Sequence, residues 1–254
     1  MDLPWIPSDA PADFFPDPAE ALVHPNGLLA AGGDLSPERL IQAYRRGIFP
    51  WYDDHTPILW WSPDPRIILE PGKMYRSRRF RRRLRRDDYE VSMDRAFSEV
   101  IAHCADIRLR RDQEATWITE EMRQAYEALH HQGYAHSVEV WKNAELVGGV
   151  YGIALGRVFF GESMFSRIPD GSKIALAWLD SQLWHWGFAL IDGQVPNPHL
   201  QRLGARPCPR QDFLQKLAEN VDVGPPPGPW TLEIDTPEAR SAPDHPRPGK
   251  TDDP

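Results

Sequence analysis

The chain reads as an α+β protein, and three features of its pattern say so. From residue 65 onward, short apolar runs with strand-like alternation give way repeatedly to segments with helical spacing. Three of the strand-like runs follow one another with only two polar turn residues between them. Ahead of all this, residues 1–64 are rich in Pro, Gly and Trp and hold a single short helical pattern. Strands in an uninterrupted meander flanked by helices predict one twisted, largely antiparallel sheet.

The elements follow in order. Ser36-Pro37 is an N-cap with Pro at the first helical position, Leu40, Ala43 and Tyr44 share one face, and Gly47 stops the helix. Residues 65–70 and 89–93 read as strands. Asp94 is the expected cap of a helix carrying Phe97, Val100, Ile101 and Cys104. Thr119 caps a second helix, with Glu120 and Glu121 at its positive end and Gly133 beyond it. The meander occupies 136–142, 145–154 and 157–165. Ser172 is the expected cap of a helix with Leu176, Leu179, Leu183 and Trp186 on one stripe, closed by Gly187. A buried strand over 188–194 and a helix over 210–220 complete the set. The division expected is a small N-terminal domain (1–64), a main domain (65–222) and a disordered tail (223–254), where Pro, Asp, Gly and Arg replace any apolar period.

The 254 residues are 41% hydrophobic and 26% charged, ordinary for a soluble globular protein, with 26 prolines and ten tryptophans in clusters. The first residues have neither a basic nor an apolar leader region, and no run reaches the length of a membrane span. A cytoplasmic protein without membrane contact is the expectation, with Cys104 and Cys208 as reduced structural thiols. Net charge is −8, yet residues 73–86 carry nine basic side chains and no acidic one: Lys73, Arg76, Arg78, Arg79, Arg81, Arg82, Arg83, Arg85 and Arg86. An acidic protein with one dense basic segment has a local footprint for a polyanion, or else a solvated basic face. Tyr75 and Phe80 inside it either pack on the body or stack on bases.

Two strands carry polar residues where apolar ones belong. In residues 160–165 (FGESMF) alternation puts Phe160, Glu162 and Met164 on one face, so a carboxylate enters an apolar surface and needs a partner or a task. In residues 190–195 (LIDGQV), Asp192 and Gln194 leave one face and Gly193 admits a close approach from the other. Asn197 and His199 extend the polar group, with no Ser or Cys nucleophile indicated and no metal-ligand spacing. Carboxylates beside an amide suit hydrogen bonding to an amine nucleophile. Trp51, Trp60, Trp61 and Trp117 are core residues or base-stacking surfaces.

These residues, together with residues 25–36 (PNGLLAAGGDLS), 44–51 (YRRGIFPW), 58–66 (ILWWSPDPR), 116–119 (TWIT), 136–141 (HSVEVW), 146–152 (LVGGVYG), 160–167 (FGESMFSR) and 191–194 (IDGQ), resemble the leucyl/phenylalanyl-tRNA–protein transferase family in order and spacing. The resemblance implies a small N-terminal domain and a main domain with the fold of the CoA-dependent N-acetyltransferases, used without CoA or any other cofactor. It implies leucyl- or phenylalanyl-tRNA, and methionyl-tRNA less well, as donor, and a protein with N-terminal Arg or Lys as acceptor, the product being marked for N-end-rule degradation. By the same likeness Trp51 and Trp117 hold the terminal adenosine, Val150, Met164 and Phe165 line the donor side-chain pocket, and the chain is a monomer. Val150 and Gly193 stand where some members have Met and Cys. On this reading Asp192 accepts the amine proton directly or by relay, Gln194 orients the N–H, Glu162 fixes the acceptor or Gln194 and helps select the cationic Arg or Lys side chain, Asn197 lies beside them, and the basic run meets the tRNA acceptor stem. A CoA-dependent N-acetyltransferase and a non-enzymatic RNA-binding module are the alternatives. The first needs a glycine-spaced phosphate loop that residues 165–171 lack, and the second leaves the buried polar residues idle.

Overall fold

A computed structural model describes residues 3–109, 118–224 and 228–237. The N-terminal part forms a four-stranded sheet in the order β1 (Trp5–Ile6), β2 (Leu28–Gly32), β4 (Leu59–Trp61), β3 (Phe49–Pro50), with helix α1 (Pro37–Arg45) between β2 and β3. Ser36 Oγ accepts from Arg39 N, the expected cap. Gly47, just past the helix, has φ of 71°, and a Cβ there would lie 2.7 Å from Leu214, so the turn demands glycine.

After this sheet come β5 (Arg66–Leu69), α2 (Arg78–Leu84), β6 (Glu90–Met93), α3 (Phe97–Leu109) and α4 (Glu120–His131). The meander is β7 (Ala135–Lys142), β8 (Glu145–Leu155) and β9 (Val158–Ser166), followed by α5 (Gly171–His185), β10 (Leu190–Gln194), α6 (Pro198–Arg202), β11 (Arg206–Cys208) and α7 (Arg210–Asn220). The strands from β5 onward form a seven-stranded sheet, β11-β5-β10-β9-β8-β7-β6, antiparallel except for the β9–β10 pair. The α+β architecture and the largely antiparallel sheet are as expected, and each predicted main-domain strand and helix appears within a few residues of its place, whereas α2, α6 and β11 have no counterpart in the sequence reading.

One apolar cluster joins the N-terminal sheet and α1 to α3, α4 and one face of β8 and β9, through residues such as Tyr44, Trp60, Tyr126, Tyr151 and Phe160. A second lies on the other face under α5 and α2 and includes Val138, Val150, Leu179, Phe80 and Leu84. The change of sheet near residue 64 therefore runs through continuous core. Cys104 and Cys208 are both buried, and neither is in a disulfide among the described residues.

Three local expectations are corrected. Asp94 does not cap α3: its backbone is left-handed (φ 53°) and its carboxylate accepts from Ser137 N while holding His136 Nδ1. Ser172 lies inside the first turn of α5, and Asp170 (φ 67°) occupies the cap position without a side-chain cap bond. Gly148 lets this helix start sit on β8, since a Cβ there would lie 2.7 Å from the Gly171 carbonyl carbon. The disordered tail also needs revising over residues 228–237. Trp230 stacks on His136 at 3.7 Å, and Trp230, Leu232 and Ile234 pack on the α5 side. Trp230, Leu232 and Ile234 alternate with Thr231, Glu233 and Asp235, a short period of two that the tail's overall composition hides, and they are enough to dock the segment. Residues 225–227 and 238–254 lie outside the described residues.

Candidate active site

Two β-bulges on neighbouring strands build the site. Along β8 and β9, Tyr151 faces Ser163 and Gly152 faces Gly161, so Glu162 is an extra residue with nothing opposite. Along β5 and β10, Ile68 faces Asp192 and Ile67 faces Gln194, so Gly193 is extra there. Gln194 consequently takes φ of 63°, a left-handed conformation that costs a non-glycine residue about 1 kcal/mol or more and tends to mark functional sites. Parallel pairing of β9 with β10 extends only to Phe160 and Asp192. Both bulges fall where the two strands part, and each re-aims one polar side chain.

Glu162 and Gln194 meet there. Gln194 Nε2 donates to Glu162 Oε1 at 2.7 Å, Tyr44 OH to the same oxygen at 2.8 Å, and Tyr126 OH to Oε2 at 3.0 Å. The two phenol oxygens are 2.6 Å apart. Tyr44 comes from α1 and Tyr126 from α4, so three layers of the molecule converge on one carboxyl group. Burial pushes Glu162 up to about 7, the three donors and their preference for the charged form notwithstanding. Tyr44 and Tyr126 are both held well above the usual phenol range, by burial and then by the Glu162 charge. The ring of Tyr44, Tyr126 and Glu162 makes three oxygen–oxygen contacts but owns two hydroxyl hydrogens while Glu162 is ionised. One added proton supplies the third hydrogen.

Asp192 is placed differently from the role expected of it. Its side chain is fully buried against Arg66, also fully buried. Arg66 Nη2 and Nε grip its oxygens at 2.8 to 3.2 Å, and Gln194 N donates to Oδ1 at 2.8 Å. Arg66 lies between the rings of Phe49 and Phe213 and donates to Gly47 O. Through the Gln194 N–H bond Asp192 also helps set the backbone of Gln194. Arg66 was not singled out from sequence, although an arginine opening the buried strand RIIL demands a buried anion. Tyr44 stands in the sequence as one residue of an apolar helix face and Tyr126 carries no distinguishing signal, with no local sign of their shared partner.

The remaining expected residues divide. Trp51 is 42% exposed, lies 5.6 Å from the Trp61 ring and accepts Trp61 Nε1 at its carbonyl, so it offers a braced stacking face. Trp60 is core, and Trp117 lies outside the described residues. The bulge breaks the alternation assumed for β9: Phe160 and Phe165 belong to the cluster with Tyr44, whereas Met164 packs with Val150 on the α5 face. Val150 and Met164, facing each other across the strands, thus form one wall, and Phe165 does not share it. Asn197 is exposed and caps α6, Oδ1 accepting from His199 N and Leu200 N.

Of the basic run, Arg78, Arg81, Arg82 and Arg85 line one side of α2 around a concavity of about 480 Å³, and Arg79 and Arg86 are also exposed. Lys73 and Arg83 are half-buried and paired with Glu70 and Asp88. Arg76 is a buried exception, bound to Asp180. Phe80 is core and Tyr75 is exposed. Among the described residues, no helix is long and apolar enough to cross a membrane.

The pattern that defines the leucyl/phenylalanyl-tRNA protein transferase family matches residues 68–218, and that of the family's N-terminal domain matches residues 33–64. Curated proteins bearing the name leucyl/phenylalanyl-tRNA–protein transferase are similar over nearly their whole length. The one from Nitrosospira multiformis is 55% identical over 220 residues, covering 87% of this chain and 93% of its own. That from Alkalilimnicola ehrlichii is 54% identical over 234 residues, 92% of this chain and 90% of its own. The one from Pseudomonas fluorescens is 54% identical, covering 90% and 99%. Among solved structures, a GCN5-related N-acetyltransferase from Kribbella flavida matches 65% of this chain and 58% of its own at 12% identity and a TM-score of 0.31, too loose a likeness to carry an argument.

Proposed function

The chain belongs to the leucyl/phenylalanyl-tRNA–protein transferase family, and from that premise we propose that it moves a leucyl or phenylalanyl group, and a methionyl group less readily, from tRNA to the α-amine of proteins that begin with Arg or Lys. The product then carries an N-terminal residue that marks it for degradation. The chain does this as a cytoplasmic monomer, with no cofactor.

The observation that carries the reading is the Glu162–Gln194 pair at the parting of β9 and β10. The donor is an activated ester, and an α-amine has a reference pKa of about 7.7–8.0. Its ammonium form sheds one proton before attack, and a buried carboxyl group near 7 is matched to take it. We assign that proton to the Tyr44–Tyr126–Glu162 ring, which completes its hydrogen bonds on receiving it and later returns it to solvent. Gln194 commits Nε2 to Glu162, which leaves Oε1 to accept an N–H of the neutral amine and aim its lone pair. Nitrogen then bonds to the ester carbonyl carbon, the bond to the ribose oxygen breaks, and the second amine proton ends on that oxygen. Asp192, clamped by Arg66, is a positioning residue that acts through the Gln194 backbone. With both Glu162 oxygens engaged inside the protein, reading of the acceptor's cationic side chain falls to groups outside this ring.

Trp51 stacks on the terminal adenosine, a contact of about 1–3 kcal/mol. Val150 and Met164 form an apolar wall for the donor side chain. The arginine face of α2 holds acceptor-stem phosphates, which gives affinity without sequence readout. The test is transfer of labelled leucine from leucyl-tRNA to a peptide starting with Arg, beside the same peptide with an acetylated N-terminus. Gln194→Ala is expected to slow transfer about 10²-fold at saturating substrates. Near-normal transfer by that variant, or labelling of the blocked peptide, contradicts the assignment.

A further inference from the structure

The arginine helix is electrostatically ill-suited to fold by itself. Arg78 and Arg79 stand at its positive end with no acid in the first turn. Arg78, Arg81, Arg82 and Arg85 repel one another at spacings of three and four. Seven residues is below the length at which a helix holds itself in water. Its direction is therefore set from outside. Phe80 and Leu84 bury one face, which fixes how far the helix lies from the body. The start of the helix is fixed by Arg76, only 5% exposed. Arg76 Nη2 donates to Asp180 Oδ2, Ala177 O and Ser181 Oγ at 2.9 to 3.0 Å, all on α5, and Nη1 donates to Pro237 O at 3.1 Å. The Arg76 carbonyl in turn accepts from Arg81 Nε at 3.1 Å.

Pro237 belongs to the docked segment. At Gly228 of the same segment the N–H donates to Gly133 O at 3.1 Å, near the turn that precedes β7. Trp230 lies flat on His136 and edge-on to Trp186 and Phe188, and its N–H donates to Asp94 Oδ2 at 2.7 Å. Gln182 Oε1 accepts from Glu233 N and Ile234 N at 2.9 and 3.3 Å, and Trp186 Nε1 donates to Glu233 at 2.9 Å. The segment packs on the C-terminal part of α5 and delivers a backbone carbonyl to the one guanidinium that fixes the arginine helix.

We propose that residues 228–237 and Arg76 form a clamp that positions α2 for tRNA, so that Arg76 is a positioning residue and not a phosphate contact. This rests on the reading of α2 as the tRNA face. The experiment measures transfer kinetics and the salt dependence of leucyl-tRNA binding for the full chain and five variants: a chain ending at Asp235, a chain ending at Gly224, Trp230→Ala, Trp230→Phe, and the fourfold Arg78/Arg81/Arg82/Arg85→Gln. The chain ending at Asp235 loses the Pro237 carbonyl while Trp230 stays docked, and its KM for tRNA is expected to rise about threefold. The chain ending at Gly224 and Trp230→Ala are expected to raise it about tenfold, with kcat at saturating tRNA within about twofold, and Trp230→Phe to recover most of the loss. A normal KM in the two truncated chains, beside a fourfold variant that loses binding, overturns the clamp and leaves the arginine face standing. A fourfold variant with unchanged KM and salt slope overturns both. Equal loss of kcat and KM on truncation shows a general scaffold role and also overturns the clamp. Should the Gly224 chain fail to fold, the Asp235 chain decides by the same readout.

Discussion

Two regions of this protein handle charge in opposite ways. At the floor of the site, Glu162 and Asp192 are buried, and every oxygen has a named donor. On α2 and just beyond it, residues 78–86 carry six exposed arginines: Arg78, Arg79, Arg81, Arg82, Arg85 and Arg86. In the first region a group is set to a fraction of an ångström and has no substitute. In the second, charge acts at a distance, is screened by salt, and is shared among several side chains. Catalysis of amine attack needs the first kind of placement, and holding a phosphate backbone needs only the second. Losses at the floor should accordingly be steep and local, whereas losses on the helix should be graded and salt-dependent.

The sharpest way to test that contrast is to remove one member of the buried pair. Arg66→Met leaves Asp192 charged and unpaired in the core, and destabilisation of about 3–5 kcal/mol is expected by denaturant melts. Arg66→Met combined with Asp192→Leu should recover much of that loss in stability but not transfer, because Gln194 loses the acceptor for its backbone N–H. A single Arg66→Met that unfolds like the parent would erase the difference between the regions.

Glu162 offers a pH test of the same idea. Its folded-state value, about 7, lies above the ordinary 4.5, so between these values the folded protein holds a proton the unfolded chain has released. Stability from this group is therefore full at low pH and is lost as pH rises through 7. Glu162→Gln, permanently neutral, is expected to gain on the parent by about 2–3 kcal/mol between pH 5 and 8. Transfer should behave oppositely, rising with pH through about 7 in the parent, and Tyr126→Phe should move that rise to higher pH because a donor to the charged form is gone. An unshifted profile in Tyr126→Phe removes the ring from proton handling.

How far the sequence reaches follows the same division. The meander, α4 with its Thr119 cap, and the polar trio Glu162, Asp192 and Gln194 are legible because each rests on local spacing. What escapes is anything set by register or by distant partners. A bulge adds one residue and turns Met164 to the opposite face from Phe160, and nothing in FGESMF signals it. Arg66 and Asp192 are 126 residues apart, and Tyr44 and Glu162 are 118 apart, so their pairing is a property of the sheet. The basic run looks like one unit in sequence, but burial splits it: Arg76 goes inward to Asp180, while Arg78, Arg79, Arg81, Arg82, Arg85 and Arg86 face outward. Composition marks the tail as disordered, and the contacts of Trp230, Leu232 and Ile234 are what such an average hides.

The arginine face gives a gentler prediction. Changing Arg78, Arg81, Arg82 and Arg85 to Gln should flatten the plot of log tRNA affinity against log salt by about 3, close to one phosphate contact for each residue, with melting little changed. Single changes should each cost a modest, similar share, unlike any change at Glu162 or Arg66. One arginine carrying nearly the whole effect would mean that this face, too, is a built site.

The smallest expected effect is none at all, and it tests whether the main domain takes CoA. A pyrophosphate prefers the N-terminus of a helix, where free N–H groups and the dipole await an anion. At the start of α5 that place is occupied by the protein itself. Asp170 brings a carboxylate to the cap position, with Lys173 folded back on it at 2.9 Å, and Ser166 Oγ already accepts from Ser172 N at 3.2 Å. An incoming pyrophosphate would meet a like charge and a donor already spent. Acetyl-CoA at millimolar concentration should therefore leave the melting temperature unchanged, whereas leucyl-tRNA should raise it. A clear upward shift with acetyl-CoA would mean that the α5 terminus rearranges to admit phosphates, and the floor around Glu162 would then have to be read as serving an acetyl donor.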